Sequence, residues 1–440
     1  MMRYTVGRVM GLTKAMTGPQ REHDMTPTLP EMTRVFTRIG FLSFGGPAAQ
    51  IALMHRELVE RRKWVSEKDY LSALSFCMLL PGPEAMQLAT WTGWRLHGTR
   101  GGMIAGLLFV LPGACVVLAL SMIYAAYGNL PLVAALFTGV QAAVVAIVLE
   151  ALLRVSKRAL KGRIHWIIAF VAFLALFALN IPFPIIIVAA AVVGAATTQN
   201  AANPAAAIPH TPARTLNTLG IWLALWLIPL AALWQFEQGL LFEIGLFFSK
   251  LAIVTFGGAY AVLAWMTQAV VQDKAWLTLP QMMDGLGLAE TTPGPLILVT
   301  EFVGYIAAYK QGGWVYGLAG AVVTLWMTFV PCFLWIFTFA PYIARITAAP
   351  RLAGALSAIT AAVVGVIANL SLWFAAHVLF RSVSVLDFGP FHMIAPDWAS
   401  LNLQTLTIGV VAAWLLLRRH WSLPVVLGLS ALASAMASLV

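Results

Sequence analysis

Runs of about twenty apolar residues, at 103–127, 131–149 and 352–380, decide the fold class before anything else. They match the thickness of a bilayer's hydrocarbon core, where backbone polar groups must be satisfied internally and a helix does this within one segment. The rest of the 440-residue chain agrees: 60% is apolar and 10% charged, against roughly 45–50% and 25% in soluble domains. The chain reads as an all-α polytopic membrane protein. Its net charge of +10 is explained by Lys and Arg in cytoplasmic loops, so no nucleic-acid partner is expected. Cys77, Cys115 and Cys332 lie inside apolar runs with no C-x-x-C and no neighbouring His; they read as buried small hydrophobes, with neither metal nor cofactor. Tyr, Trp and Met read as mostly lipid-facing or interfacial, without chemistry.

The chain repeats itself. Phe44, Gly45 and Gly46 recur as Phe256, Gly257 and Gly258; Trp64 recurs as Trp276; Pro81, Gly82 and Pro83 recur as Pro293, Gly294 and Pro295. All share an offset of 212, and 36–83 against 248–295 gives 13 identities in 48 positions. The offset becomes 219 through QAAVVAIVLEAL at 141–152 and TAAVVGVIANLS at 360–371. Collinear Gly, Pro and Trp matches mark a duplication. The boundaries follow: a cytoplasmic arm at 1–34, a first repeat at 35–197, a linker and connecting transmembrane helix at 198–243, and a second repeat at 244–440.

Charge orients the copies. Residues 1–220 hold 19 Lys and Arg, and 221–440 hold 8. The segment 55–69 carries five, whereas its equivalent 267–281 carries Lys274 alone. Because Lys and Arg mark the cytoplasmic side, equivalent loops fall on opposite sides, as in inverted-topology repeats. Keeping 55–69 inside requires the FGG and PGP segments to be broken, re-entrant hairpins. The expectation is nine crossings and four hairpins, with the N-terminus cytoplasmic, the C-terminus periplasmic and all four turns near the midplane.

Gly-Gly-Pro and Pro-Gly-Pro cannot continue a helix, and Pro suits a first helical turn, so new helices are expected at about Pro47, Pro83 and Pro295. Their free N–H groups and dipole ends would bind a compact anion. A packing kink is the plainer reading of one such motif; two motif types, each duplicated in register, favour a site. Arg38 and Lys250, also equivalent, either snorkel to the headgroups or contact the anion. Glu84, Glu290 and Glu301 lie in apolar segments and are candidates for proton coupling or gating, whereas Glu150 reads as a structural partner of Arg154. A membrane enzyme acting on lipid phosphates would need clustered catalytic groups, and the His residues stand singly in loops. An oxyanion channel remains open.

The run FLSFGGPAAQIALMHRELVERRKW through LLPGPEAMQLATWTGWRLHGTRGG resembles the first half of the chromate transporter (CHR) family, and KLAIVTFGGAYAVL with AETTPGPLILVTEFVGYIAAY resembles its second half. The resemblance covers about 30–380. It implies a bacterial inner-membrane protein of the long, two-domain form that exports chromate, with sulfate as the look-alike anion. It also implies that Phe44, Gly45, Gly46, Pro47, Pro81, Gly82, Pro83, Phe256, Gly257, Gly258, Pro293, Gly294 and Pro295 serve the substrate. Ala259 stands where the first repeat has Pro47. The partners expected are a chromate- or sulfate-like oxyanion and the lipid bilayer, with a homodimer open as the assembly. A carrier for sulfate or another anion, with chromate incidental, is the alternative.

Overall fold

A computed structural model describes residues 26–198, 212–256, 259–389 and 391–439. Most of the expected arm, much of the linker, and Gly257 and Gly258 lie outside the described residues. The elements run α1 (Leu29–Leu42), α2 (Gly46–His55), α3 (Glu67–Leu79), α4 (Glu84–Tyr127), α5 (Pro131–Ala159), α6 (Arg163–Phe177), α7 (Phe183–Thr197) and α8 (Pro212–Gln235). They continue through α9 (Gly239–Val254), α10 (Ala259–Gln268), α11 (Leu279–Thr291), α12 (Val299–Phe339), α13 (Ile343–Thr347) and α14 (Pro350–Leu379). A β-hairpin, β1 (Val383–Phe388) with β2 (Phe391–Pro396), precedes α15 (Leu403–Leu417) and α16 (Leu423–Ser438). Among the described residues, five helical stretches are long and apolar enough to cross a membrane. Large side chains such as Trp166, Phe170, Val188 and Ile228 stand exposed on the outer helices, as a lipid-facing belt requires.

The duplication extends to backbone detail. Ser66 caps α3 by accepting from Asp69 N at 3.1 Å, and Thr278, its equivalent, caps α11 with a capping box to Gln281. A π-helical turn follows α2 at Arg56–Arg61 and α10 at Ala269–Asp273. Each turn is closed by the repeated tryptophan: Trp64 N donates to Leu58 O and Trp276 N to Val270 O, both at 2.9 Å. A cation lies over each indole, Arg62 at 5.6 Å and Lys274 at 4.7 Å. Left-handed backbone recurs at Lys63 and Ala275, at Asn180 and His420, and at Gly82 and Gly294.

The long α4 and α12 are each two helices. Gly98 and Gly313 take positive φ after a non-helical residue, and the chain doubles back on itself. A Cβ on Gly101 would lie 2.2 Å from Gly93 O, and one on Gly320 would lie 2.3 Å from Gly304 O, so each arm packs backbone to backbone on its own continuation. Packing then crosses between repeats: α4 lies on α12, α14 packs on α6 and α7, and α5 packs on α15 and α16.

Several expectations are corrected. Helix α1 begins at Leu29, within the stretch read as an arm, because Thr28 caps it and Pro30 suits its first turn. The third half-helix does not start at Pro295 as an α-helix; a 3-10 turn at Leu296–Leu298 comes first. Of the Tyr, Trp and Met residues, Trp91, Trp226, Tyr305, Met32 and Met54 are core. Cys77 and Cys332 are buried, whereas Cys115 is exposed.

The basic segment between α2 and α3 is tied down by Glu57, which is buried and accepts from Arg61 at 2.7 Å and also from Arg62. Burial acts to raise its pKa, but the Arg62 hydrogen bond and the charges of Arg62, Arg38 and Arg61 outweigh it and hold the carboxyl below its ordinary value. Its stabilisation is therefore complete above the ordinary glutamate pKa and is lost as pH falls through the lowered folded value. Glu57→Gln should cost about 1–3 kcal/mol at neutral pH. It should also remove this acid-side loss, both read from thermal unfolding in detergent across pH. Wild-type melts and pH dependence in the variant would contradict this.

Candidate functional site

The broken segments meet in pairs across the repeats. Gly294 N donates to Ser43 O at 2.8 Å, and the equivalent Gly82 N donates to Thr255 O, also at 2.8 Å. Each turn from a PGP motif thus bonds the residue just before the FGG of the other copy. The hydroxyls close the preceding helices in the same way: Ser43 Oγ donates to Ile39 O at 2.7 Å and Thr255 Oγ1 to Leu251 O at 2.6 Å. Gly82 sits against Cys332 on α12, and Gly294 against Gly113 on α4; these two contacts are themselves equivalent at offset 219.

Side-chain amides reinforce the turns without being duplicated. Gln50 Nε2 donates to Gly294 O at 2.6 Å, spanning the two copies, and Gln87 Nε2 donates to Pro81 O at 2.7 Å. The Oε1 atoms of both are buried without a partner. Helix α2 starts at Gly46, with Gly45 at φ +86° and Pro47 in its first turn, and α4 starts directly after Pro83. Neither start has a side-chain cap from its N-cap residue, which leaves a positive dipole end at each.

The two copies differ in exposure. Phe44 and Gly45 are exposed and Gly46 and Pro47 half-buried, whereas Pro293, Gly294 and Pro295 are all buried. Pro81 and Phe256 are half-buried; Gly82 and Pro83 are buried. Arg38 and Lys250 are both exposed. Arg38 lies within electrostatic reach of Glu57, and Lys250 makes no ion pair or hydrogen bond among the described residues.

The carboxylates take separate roles. Glu150 pairs with Arg154 at 2.5 Å, as its spacing suggested. Glu290 is buried and accepts from Tyr260 OH at 2.7 Å. Glu84 opens α4, half-buried. Glu301 is 1% exposed, and its Oε2 has no partner. A cavity of about 320 Å³ between the α6–α7 turn, α10 and α14 is lined by Asn180, Gln268, Gln272 and Asn369 with Trp265 and Trp373. Leu370 lines both this cavity and a small void against Tyr260 and Glu290. No group of three or more potential metal ligands occurs among the described residues.

Sequence reasoning missed Ser43 and Thr255, although a hydroxyl residue precedes both FGG motifs. It missed Gln50 and Gln87, which have no counterpart. It also missed Asp284, whose neighbourhood MMDGLG looks like a turn but lies inside α11. Tyr124 and Tyr260, set aside as lipid-facing, bond Asp284 and Glu290 instead.

Comparison with known proteins places this geometry in a family. The chromate transporter family model matches residues 30–195 and 242–435. The chain is 35% identical over 345 residues to the chromate transport protein of Pseudomonas aeruginosa, covering 77% of this chain and 79% of that one. It is 31% identical over 350 residues to the chromate transport protein of Cupriavidus metallidurans, covering 78% and 81%. It is 32% identical over 345 residues to the probable chromate transport protein of Synechococcus elongatus, covering 78% and 83%. No solved structure matches the chain. A polytopic helical protein in which two matched halves each carry the motif pair, the chain belongs to the chromate transporter family, a family of transport proteins and not enzymes.

Proposed function

We propose that the chain is a secondary active transporter that exports chromate, a tetrahedral dianion, across the bacterial inner membrane. The observation that carries the reading is the reciprocal pairing of the FGG and PGP turns, Gly294 N on Ser43 O and Gly82 N on Thr255 O. Uncapped helix starts at Gly46 and Glu84 adjoin these pairs and offer N–H donors to an oxyanion. The chromate transport proteins it resembles supply the anion. The charge asymmetry between equivalent loops supports inverted repeats, with the N-terminus inside and the C-terminus outside.

In this account the two copies rock about the paired turns, so that the site opens alternately to either side. Phe44, Gly45, Gly46 and Pro47 form its open wall, and Phe256, Pro293, Gly294 and Pro295 its closed one. Arg38 and Lys250, being exposed, raise the local concentration of the anion rather than grip it. Glu84, Glu290 and Glu301 are candidate proton-coupling or gating groups. Expelling a negative charge from a negative-inside cell is favourable by about 2.3 kcal/mol per charge per 100 mV.

Chromate accumulation in cells expressing the chain tests the reading. The wild type should lower intracellular chromate, with sulfate competing, whereas Gly45→Leu, correctly inserted, should not. Unchanged chromate with wild-type protein in the membrane, or export of sulfate alone, would refute chromate as the substrate. Full export by Gly45→Leu would refute the site.

A further inference from the structure

Asp284 is a carboxylate that none of the foregoing uses. It lies in α11 with 4% of its surface exposed, and both its oxygens are held by the other repeat. Tyr124 OH, from α4, donates to Oδ2 at 2.7 Å, and Gln141 Nε2, from α5, donates to Oδ1 at 2.9 Å. Three helices and both copies therefore converge on one acid.

The surroundings fix that convergence. Gly285 and Gly287 follow Asp284 on α11 and let its neighbours close in. A Cβ on Gly285 would lie 2.4 Å from the Phe302 ring, and one on Gly287 would lie 2.2 Å from Val140 Cγ1. Tyr124 is itself wedged edge-on between Phe137 and Phe302, with ring centroids at 5.1 and 5.2 Å, so its hydroxyl has little freedom to leave.

Among the described residues no cation pairs with Asp284. Helix α4 brings Tyr124; α5 brings Gln141, with Glu150 and Arg154 nine and thirteen residues further on, about 13 and 20 Å along the axis. Helix α16 and the 3-10 turn at Leu296–Leu298 bring no ionisable side chain, and α12 brings Glu301 and Tyr305, neither bonded to Asp284. A buried acid held by two neutral donors and lacking a counter-ion is costly to keep for packing alone. A proton is the ligand that completes such a site.

We propose that Asp284, with Tyr124 and Gln141, is a proton-binding site whose occupancy couples to the packing of one repeat on the other. The step is simple: one proton from solution binds Oδ2, no other bond breaks, and Oδ2 changes from acceptor to donor. The Tyr124 hydroxyl must then turn its own proton away and accept. The contact holding α11 to α4 is re-made in the opposite polarity, and it reverts when the proton leaves on the other side.

The transport arm of the test rests on the chain's being an anion carrier; a second arm does not. In proteoliposomes, Asp284→Asn keeps the size of the side chain and an acceptor for Tyr124. It should retain chromate–chromate exchange within about twofold and lose accumulation driven by a pH gradient by about tenfold or more. Asp284→Glu should retain both. Independently, infrared difference spectra of the purified protein should contain a titrating carboxyl band that Asp284→Asn removes and that Tyr124→Phe shifts. That band stands even if chromate proves to be the wrong anion. Wild-type pH-driven accumulation in Asp284→Asn, equal loss of exchange and accumulation in a folded variant, or an unchanged carboxyl band would each overturn the proposal. Should Asp284→Asn fail to fold, the presence or absence of the Tyr124→Phe shift decides.

Discussion

Gly82→Ala and Gly294→Ala should each abolish transport and lower stability. Both residues hold left-handed backbone, at φ +124° and +91°, which costs a non-glycine residue about 1–3 kcal/mol. At both sites the added carbon also displaces neighbouring side chains. On Gly82 it would lie 2.7 Å from Gln87 Nε2 and 2.9 Å from Cys332 Sγ; on Gly294 it would lie 2.9 Å from Leu298 Cδ1 and 3.4 Å from Gly113 Cα. The backbone strain, with these side chains made to shift, loosens the turn from the residue it bonds across the repeat boundary. Gly98→Ala separates strain from clash: φ is +62° but nothing lies within 4 Å of the new carbon. It should cost only the backbone term, about 1–2 kcal/mol, and keep transport. Melting temperature in detergent beside anion flux checks all three. Equal behaviour of Gly82→Ala and Gly98→Ala would contradict the pairing.

Gly101→Leu and Gly320→Leu should be the next most damaging. Their backbones touch the opposing arm at Gly93 and Gly304 so closely that even a methyl group would lie 2.2–2.3 Å from a carbonyl oxygen. Overpacking of this kind costs typically 1–3 kcal/mol, and a leucine exceeds what side-chain rearrangement can absorb, because the obstacle is backbone. The arm should spring away from its continuation and take the PGP turn with it. Cysteines at positions 90 and 106, which face each other across the first hairpin, should cross-link in an otherwise Cys-free chain and cease to do so with Gly101→Leu. Cross-linking unaffected by the substitution would argue against the doubled-back arm.

Much of this was legible because the chain states it twice. Apolar runs give the helices, and Gly, Pro and Trp matched at one offset give the repeat, its breaks and the starts at Gly46 and Glu84. Trp64 and Trp276 were visible as a matched pair, but their work in closing a π-helical turn was not, because periodicity carries no signal for one inserted residue. The partner of each turn was illegible for a different reason. Ser43 meets Gly294 across roughly half the chain, and no local pattern encodes such a contact. Residues without a duplicate were the hardest. Gln50, Gln87, Tyr124 and Asp284 act in one copy only, so the repeat that exposed the motifs concealed them. The 3-10 turn after Pro295 likewise breaks the symmetry that made Pro83 a good guide to α4. The strands of the β-hairpin, 383–388 and 391–396, lie in a stretch too mixed in polarity to read.

Labelled chromate flux in proteoliposomes of the purified chain tests most directly whether a dianionic oxyanion crosses the membrane at the paired turns. With an imposed potential, wild-type flux should be saturable, driven by that potential and competed by sulfate, and Gly45→Leu, reconstituted in equal amount and folded, should carry none. A wild-type chain that moves no chromate, or a Gly45→Leu chain that moves it as fast, would contradict the account.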